Sequence, residues 1–154
     1  MIRPKPKSIL CLDIGSRRIG LAGCDPLGIT ISRIPALHRT SFNEDLEKLK
    51  RYCEKRNVQG LVIGIPLDEH GFPTKQTRYC TKHGQKIAQA LELPIAWVNE
   101  HSSSWAAGEK YKLKKDRSGQ LDSAAAELLL DQWLKEGPEL KPVHVPAYPT
   151  RQVN

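Results

Sequence analysis

The stretch Ser8-Ile9-Leu10-Cys11-Leu12-Asp13-Ile14-Gly15-Ser16-Arg17-Arg18-Ile19-Gly20-Leu21-Ala22-Gly23-Cys24 decides the fold. Ser8 to Ile14 read as a strand that is apolar on both faces, a pattern that belongs at the centre of a sheet covered on both sides. Gly15 to Arg18 read as a turn and Ile19 to Cys24 as a second strand. Asp25-Pro26-Leu27-Gly28 places Pro and Gly for another tight bend. Ile29 to Ile34 then alternates as a third, half-exposed strand. Strands joined by turns this short run antiparallel.

Downstream the period changes. Ser41 with Glu44 resembles a capping box, and Leu46, Leu49 and Cys53 follow at helical spacing. Leu61 to Ile65 predicts a short buried strand. A polar loop from Pro66 to Pro73 leads to a helix with Cys80, Gly84, Ile87, Ala88 and Leu91 on one face. Pro94 to Val98 predicts the fifth strand, Ser102 to Ser104 offer N-caps for a third helix, and a last helix is expected from Leu121 to Lys135. The expectation is one α/β domain over residues 1–154, with a mixed five-stranded sheet: three antiparallel strands, then parallel additions, with helices on both faces. Residues 1–7 form a basic tail and residues 138–154 a Pro-rich, extended one.

Lys and Arg outnumber Asp and Glu 24 to 17, a formal charge of +7 that favours polyanionic partners. No apolar run is long enough to cross a membrane, and the basic start lacks the apolar stretch of a signal peptide, so a cytoplasmic location is expected. The four cysteines, Cys11, Cys24, Cys53 and Cys80, form no CxxC pair and sit among apolar neighbours, as reduced, buried thiols do.

Three acids stand where acids are uncommon. Asp13 ends the first strand on the face of Ile9 and Cys11, and Glu100 follows the fifth strand on the face of Ala96 and Val98. Asp122 falls inside the apolar arc of the last helix, with Ala125, Ala126, Leu129 and Trp133, while Ser123, Glu127 and Asp131 mark the solvent side. Each alone has an ordinary explanation, a turn-capping Asx or a carboxylate near a helix N-terminus. Together, as a cluster, they would repel one another unless cations sat among them. Oxygen-only ligands select hard ions such as Mg²⁺ or Mn²⁺, and two ions could serve phosphodiester hydrolysis.

These residues resemble those of the YqgF (RuvX-like) proteins. Asp13-Ile14-Gly15-Ser16-Arg17-Arg18-Ile19-Gly20-Leu21-Ala22 is similar to their opening Asp-x-Gly-x-x-Arg-Ile-Gly-x-Ala signature. Val62 to Leu67, Asn99 to Ser103 and Leu121 to Ala126 match three further blocks in the right order, from roughly Ile9 to Leu134. The resemblance implies an RNase H-like fold related to Holliday-junction resolvases, and a cytoplasmic nuclease that matures the 5′ end of pre-16S ribosomal RNA. It also implies that Asp13, Glu100 and Asp122 are the catalytic, metal-holding acids and Arg18 the signature arginine. Two positions depart: Asn99 stands for the usual Asp and His101 for the usual Arg, which removes a bidentate phosphate contact.

Arg17, Arg18, His101, Lys114 and Lys115 are the candidate substrate-binding residues, the lysines lying in a basic run from Lys110 to Arg117 around Tyr111. Asp68 and His70 are explained by loop polarity. The expected partner is nucleic acid: precursor rRNA, within a small-subunit precursor, or branched DNA, bound by a monomer or homodimer. An actin-like ATPase shares the Asp-x-Gly-Ser turn but needs a second lobe, and no GxxxxGK[ST] loop is present. A non-catalytic RNA-binding module needs only the basic surface.

Overall fold

The computed structural model describes residues 7–100 and 120–148, with side chains from Ser123 onward in the last helix. Five strands, β1 (Ile9–Ile14), β2 (Arg18–Cys24), β3 (Ile31–His38), β4 (Gly60–Pro66) and β5 (Ile95–Glu100), form one sheet in the order β3-β2-β1-β4-β5. β1 and β3 run antiparallel to β2, whereas β4 is parallel to β1 and β5 to β4. Parallel neighbours need crossovers, which α1 (Phe42–Arg56) and α2 (Lys75–Leu91) supply. α3 (Gln120–Glu136) packs on the opposite face. This is the mixed sheet expected from the sequence, three antiparallel strands followed by parallel additions. The helix expected after Ser102 lies outside the described residues.

Strand alternation divides the core into two layers. Leu10, Leu12, Ile14, Ile63 and Ile65 face Leu49 of α1 and Cys80, Ile87 and Ala88 of α2. Ile9, Cys11, Val62, Ala96 and Val98 face Ala126, Leu129, Leu130 and Trp133 of α3. β1 is apolar throughout because both of its faces are covered.

Three local features differ from the sequence reading. β3 starts later than expected because the Asp25 carboxylate accepts the amides of Leu27, Ile29 and Thr30 and holds that segment as a turn. The strand then continues through Pro35, which a sheet edge tolerates since its outer side needs no N–H donor. Ser123, expected in solvent, is buried, and its hydroxyl donates to the Ile34 carbonyl at 2.7 Å. The capping box on α1 is half made: Ser41 Oγ accepts from the Glu44 amide, but the Glu44 carboxylate takes the Thr40 hydroxyl. A complete box caps α2 instead, built by Thr74 and Thr77.

After α3 the chain runs extended beside β5. Ile95 and Lys141 exchange backbone hydrogen bonds of 2.8 and 2.9 Å, and Trp97 Nε1 donates to the His144 carbonyl at 3.1 Å. Among the described residues no helix is long and apolar enough to cross a membrane.

Candidate active site

Asp13 is half-buried, one residue from the end of β1, and Glu100, also half-buried, is the last residue of β5. β4 lies between them, with Ile63 beside Leu12 and Pro66 beside Glu100. Alternation puts Asp13 with Ile9 and Cys11, and Glu100 with Ala96 and Val98. Both acids therefore occupy the α3 face at the carboxyl-terminal end of parallel strands. Between them stands Gly64, where an added Cβ would meet Leu129 Cδ1 at 2.5 Å. The missing side chain lets α3 come down onto β4.

The thiols report the acids' common location. Burial pushes the Cys11 thiol well above its ordinary value, and the Asp13 carboxylate, the neighbouring Cys24 and the Glu100 carboxylate push the same way. Cys80, on α2, is raised to about 11 by burial first and then by Asp13, opposed by a hydrogen bond from Gln76, with Glu100 (raising) and Arg39 (lowering) weaker still. Both carboxylates are thus felt by thiols on either side of one sheet end.

Asp122 belongs to the first turn of α3. It precedes the buried Ala126 and Leu129 by one and two helical turns, and its neighbour Ser123 is anchored to Ile34. Ile34 lies in the row Leu12–Leu21–Ile34, one residue short of Asp13, so α3 begins over that row. The Asp122 side chain itself is outside the described residues, and among those described no three His, Cys, Asp or Glu side chains gather into a metal-holding group. His101, Lys114, Lys115 and the whole Lys110–Arg117 run also lie outside them.

The β1–β2 turn presents Arg17 to solvent, and Arg18 opens β2 opposite His38. Gly15 closes the turn by donating to the Arg18 carbonyl at 2.9 Å, and a Cβ there would sit 2.8 Å from that same oxygen. Only glycine fits without moving the backbone. Asp68 shapes the loop after β4, where its carboxylate accepts the His70 and Phe72 amides at 2.9 and 2.8 Å.

Sequence reading missed a cluster beside this turn. The Arg39 guanidinium donates to the Gly15 carbonyl at 2.7 Å, bonds the Tyr79 hydroxyl, and meets His83 Nε2 at 2.8 Å. Arginine carries only donors, so this nitrogen of His83 accepts. Burial, with Arg39 and Lys86 nearby and partly opposed by Asp45, lowers the His83 pKa, which agrees with a neutral ring. The one hint in the sequence was the i,i+4 spacing of Tyr79 and His83.

A family model described as "RuvX: Holliday junction resolvase" matches residues 7–136. The chain belongs to the RuvX family. A Prochlorococcus marinus (strain MIT 9313) relative is 65% identical over 152 residues, covering 99% of this chain and 94% of the relative. A Parasynechococcus marenigrum (strain WH8102) relative is 65% identical over 140 residues, covering 91% and 89%. Both are described as "Putative pre-16S rRNA nuclease". A solved T. thermophilus RuvC in complex with Holliday junction substrate overlays 88% of this RuvX chain and 99% of its own, at 12% identity and a TM-score of 0.49. That overlay adds nothing to the family assignment.

All four cysteines are free; Cys11, Cys24 and Cys80 are buried as expected, whereas Cys53 is half-buried. Cys53, like Cys80, is raised to about 11, by burial and then Glu54. Between the ordinary value of 9.0 and about 11 the folded chain keeps protons that the unfolded chain releases, so stability falls as pH rises through that window. The thermal midpoint is expected to drop across it, with a flatter profile in a Cys53→Ser/Cys80→Ser double variant. Native protein at about pH 8 should also resist thiol labelling. Rapid labelling of all four thiols without unfolding would contradict this.

Proposed function

We propose that this RuvX protein is a divalent-metal-dependent nuclease that hydrolyses phosphodiesters of precursor rRNA, processing the 5′ end of pre-16S rRNA in the cytoplasm. The observation that carries the reading is the pair of half-buried carboxylates, Asp13 and Glu100, on one face and at one end of the sheet. The descriptions of the 65%-identical relatives point to the same substrate.

The donor set fits hard divalent ions such as Mg²⁺ or Mn²⁺: Asp13, Glu100 and Asp122 would hold them through oxygen alone. Burial raises the pKa of the nearby Cys11 thiol, which disfavours the thiolate that a soft metal ion would need. When bound, such ions supply Lewis acidity toward the phosphate and make water a better nucleophile. The chain's own residues position the substrate. Arg17 offers an exposed cation for a phosphate next to the acids, and Arg39 fixes the turn that carries it. Asn99 projects to the face opposite Glu100, so its departure from the usual Asp leaves the paired acids intact. One domain holds the site.

The family description gives weight to a second reading, resolution of branched DNA. Incubating the protein with a pre-16S fragment and a four-way DNA junction, each with Mn²⁺ and with chelator, separates the two. Mn²⁺-dependent cleavage of the RNA is expected. Cleavage of the junction alone would favour the resolvase, and no cleavage of either would leave a non-catalytic binding module.

A further inference from the structure

A ridge of positive charge runs along α2. Lys75, Arg78, Lys82 and Lys86 are all exposed, and their spacing puts them within about 80° of one another around the helix. Residues 75–91 contain no Asp or Glu, whereas α1 interleaves Glu44, Asp45, Glu47 and Glu54 with its bases. A helix kept for solubility mixes signs, because like charges one turn apart repel.

On the flank of the ridge stands a preformed ring stack. Tyr79 and His83 lie 5.6 Å apart at 17°, and Phe42 meets His83 edge-on at 5.9 Å. Tyr79 remains 39% exposed although it is large and aromatic. Arg39 lies 5.5 Å from its centroid and links the stack to the Gly15 carbonyl, two residues past Asp13. Lys86 is partly engaged, 4.1 Å from the Phe42 ring centroid. Cations in a row beside an exposed, immobilised aromatic ring are the parts of a single-strand nucleic-acid surface.

We propose that the α2 ridge and the Tyr79–His83 stack dock the single-stranded RNA that flanks the scissile bond, phosphates along Lys75, Arg78 and Lys82 and one unpaired base on Tyr79. The proposal rests on the nuclease reading above and names the part of the substrate that the surface holds. A duplex hides its base faces and could use the ridge but not the ring. Arg39 couples the two sites: it braces both the stack and the turn that follows Asp13.

The test is anisotropy of a fluorescein-labelled RNA of mixed sequence, about 20 nucleotides long, as single strand and as duplex, titrated in chelator from about 50 to 200 mM salt. Arg78→Glu/Lys82→Glu should weaken single-strand binding at least about tenfold and flatten the log K against log salt slope by about 1.4. Tyr79→Leu should weaken it about tenfold with the slope and the duplex affinity unchanged, and Tyr79→Trp should restore it. Circular dichroism and thermal midpoints establish that each variant is folded. Binding within twofold of the parent in the double variant overturns the ridge, as does a parent protein that binds no single strand. An equal effect of Tyr79→Leu on duplex overturns the single-strand assignment. Because chelator silences cleavage, a parent that binds through the ridge but never cuts would overturn the nuclease reading alone. A parent that cuts while the double variant binds and cuts equally well would overturn the ridge alone.

Discussion

Asp13→Asn is expected to reduce metal-dependent cleavage at least about a thousandfold while leaving RNA affinity in chelator within about twofold. The amide matches the carboxylate in shape, so β1 and its pairing with β2 should survive. What is lost is the negative charge that holds a divalent ion, and one oxygen is replaced by a donor that a cation repels. Glu100→Gln should behave the same way, because the two acids share one end of the sheet and on the proposed reading hold the ions together. Single-turnover cleavage at saturating Mn²⁺ is the measurement, since it isolates the chemical step from product release. Residual activity within tenfold of the parent in either variant would remove that acid from the catalytic set.

The largest effect on stability is expected from Trp133→Ala, about 3–5 kcal/mol by urea unfolding. Trp133 is fully buried in the layer between α3 and the sheet, with Ile9, Cys11, Val62 and Ala96 in the same cluster. Its indole N–H donates to the Pro138 carbonyl at 2.5 Å and so fixes the chain where it leaves α3. Truncation opens a cavity in a closely packed layer and leaves that carbonyl without its donor. Against a typical total of about 5–15 kcal/mol, a loss of this size takes a fifth or more of the stability. A change below about 1 kcal/mol would mean that the α3 layer repacks far more freely than its burial implies.

The parts of this molecule that were legible in the sequence are those written in a local period. β1 announced its central position through apolar residues on both faces, and alternation aligned Asp13 with Ile9 and Cys11, and Glu100 with Ala96 and Val98, the residues that meet α3. What alternation could not supply was their nearness. That depends on β4 inserting between β1 and β5, a matter of strand order that no local pattern encodes. Ser123 was misread because the helical wheel treats a hydroxyl as a surface group, whereas here the Ile34 carbonyl satisfies it in the interior. The Thr74–Thr77 box went unseen because Thr stands where Glu or Gln is the familiar partner. Arg39 and Phe42 come from one segment and Tyr79 and His83 from another, and only the packing of α2 beside the β1–β2 turn makes them one cluster.

The segment beyond α3 has a consequence for assembly. By exchanging hydrogen bonds with Ile95, Lys141 occupies backbone groups on the open side of β5 to which another protein's strand could otherwise attach. At the other margin, β3 places Pro35 mid-strand, and the register shift between Ile19 and Leu21 interrupts its ladder with β2. Neither border offers a regular template for a continuous intermolecular sheet. At those positions strand-to-strand joining of two copies is disfavoured.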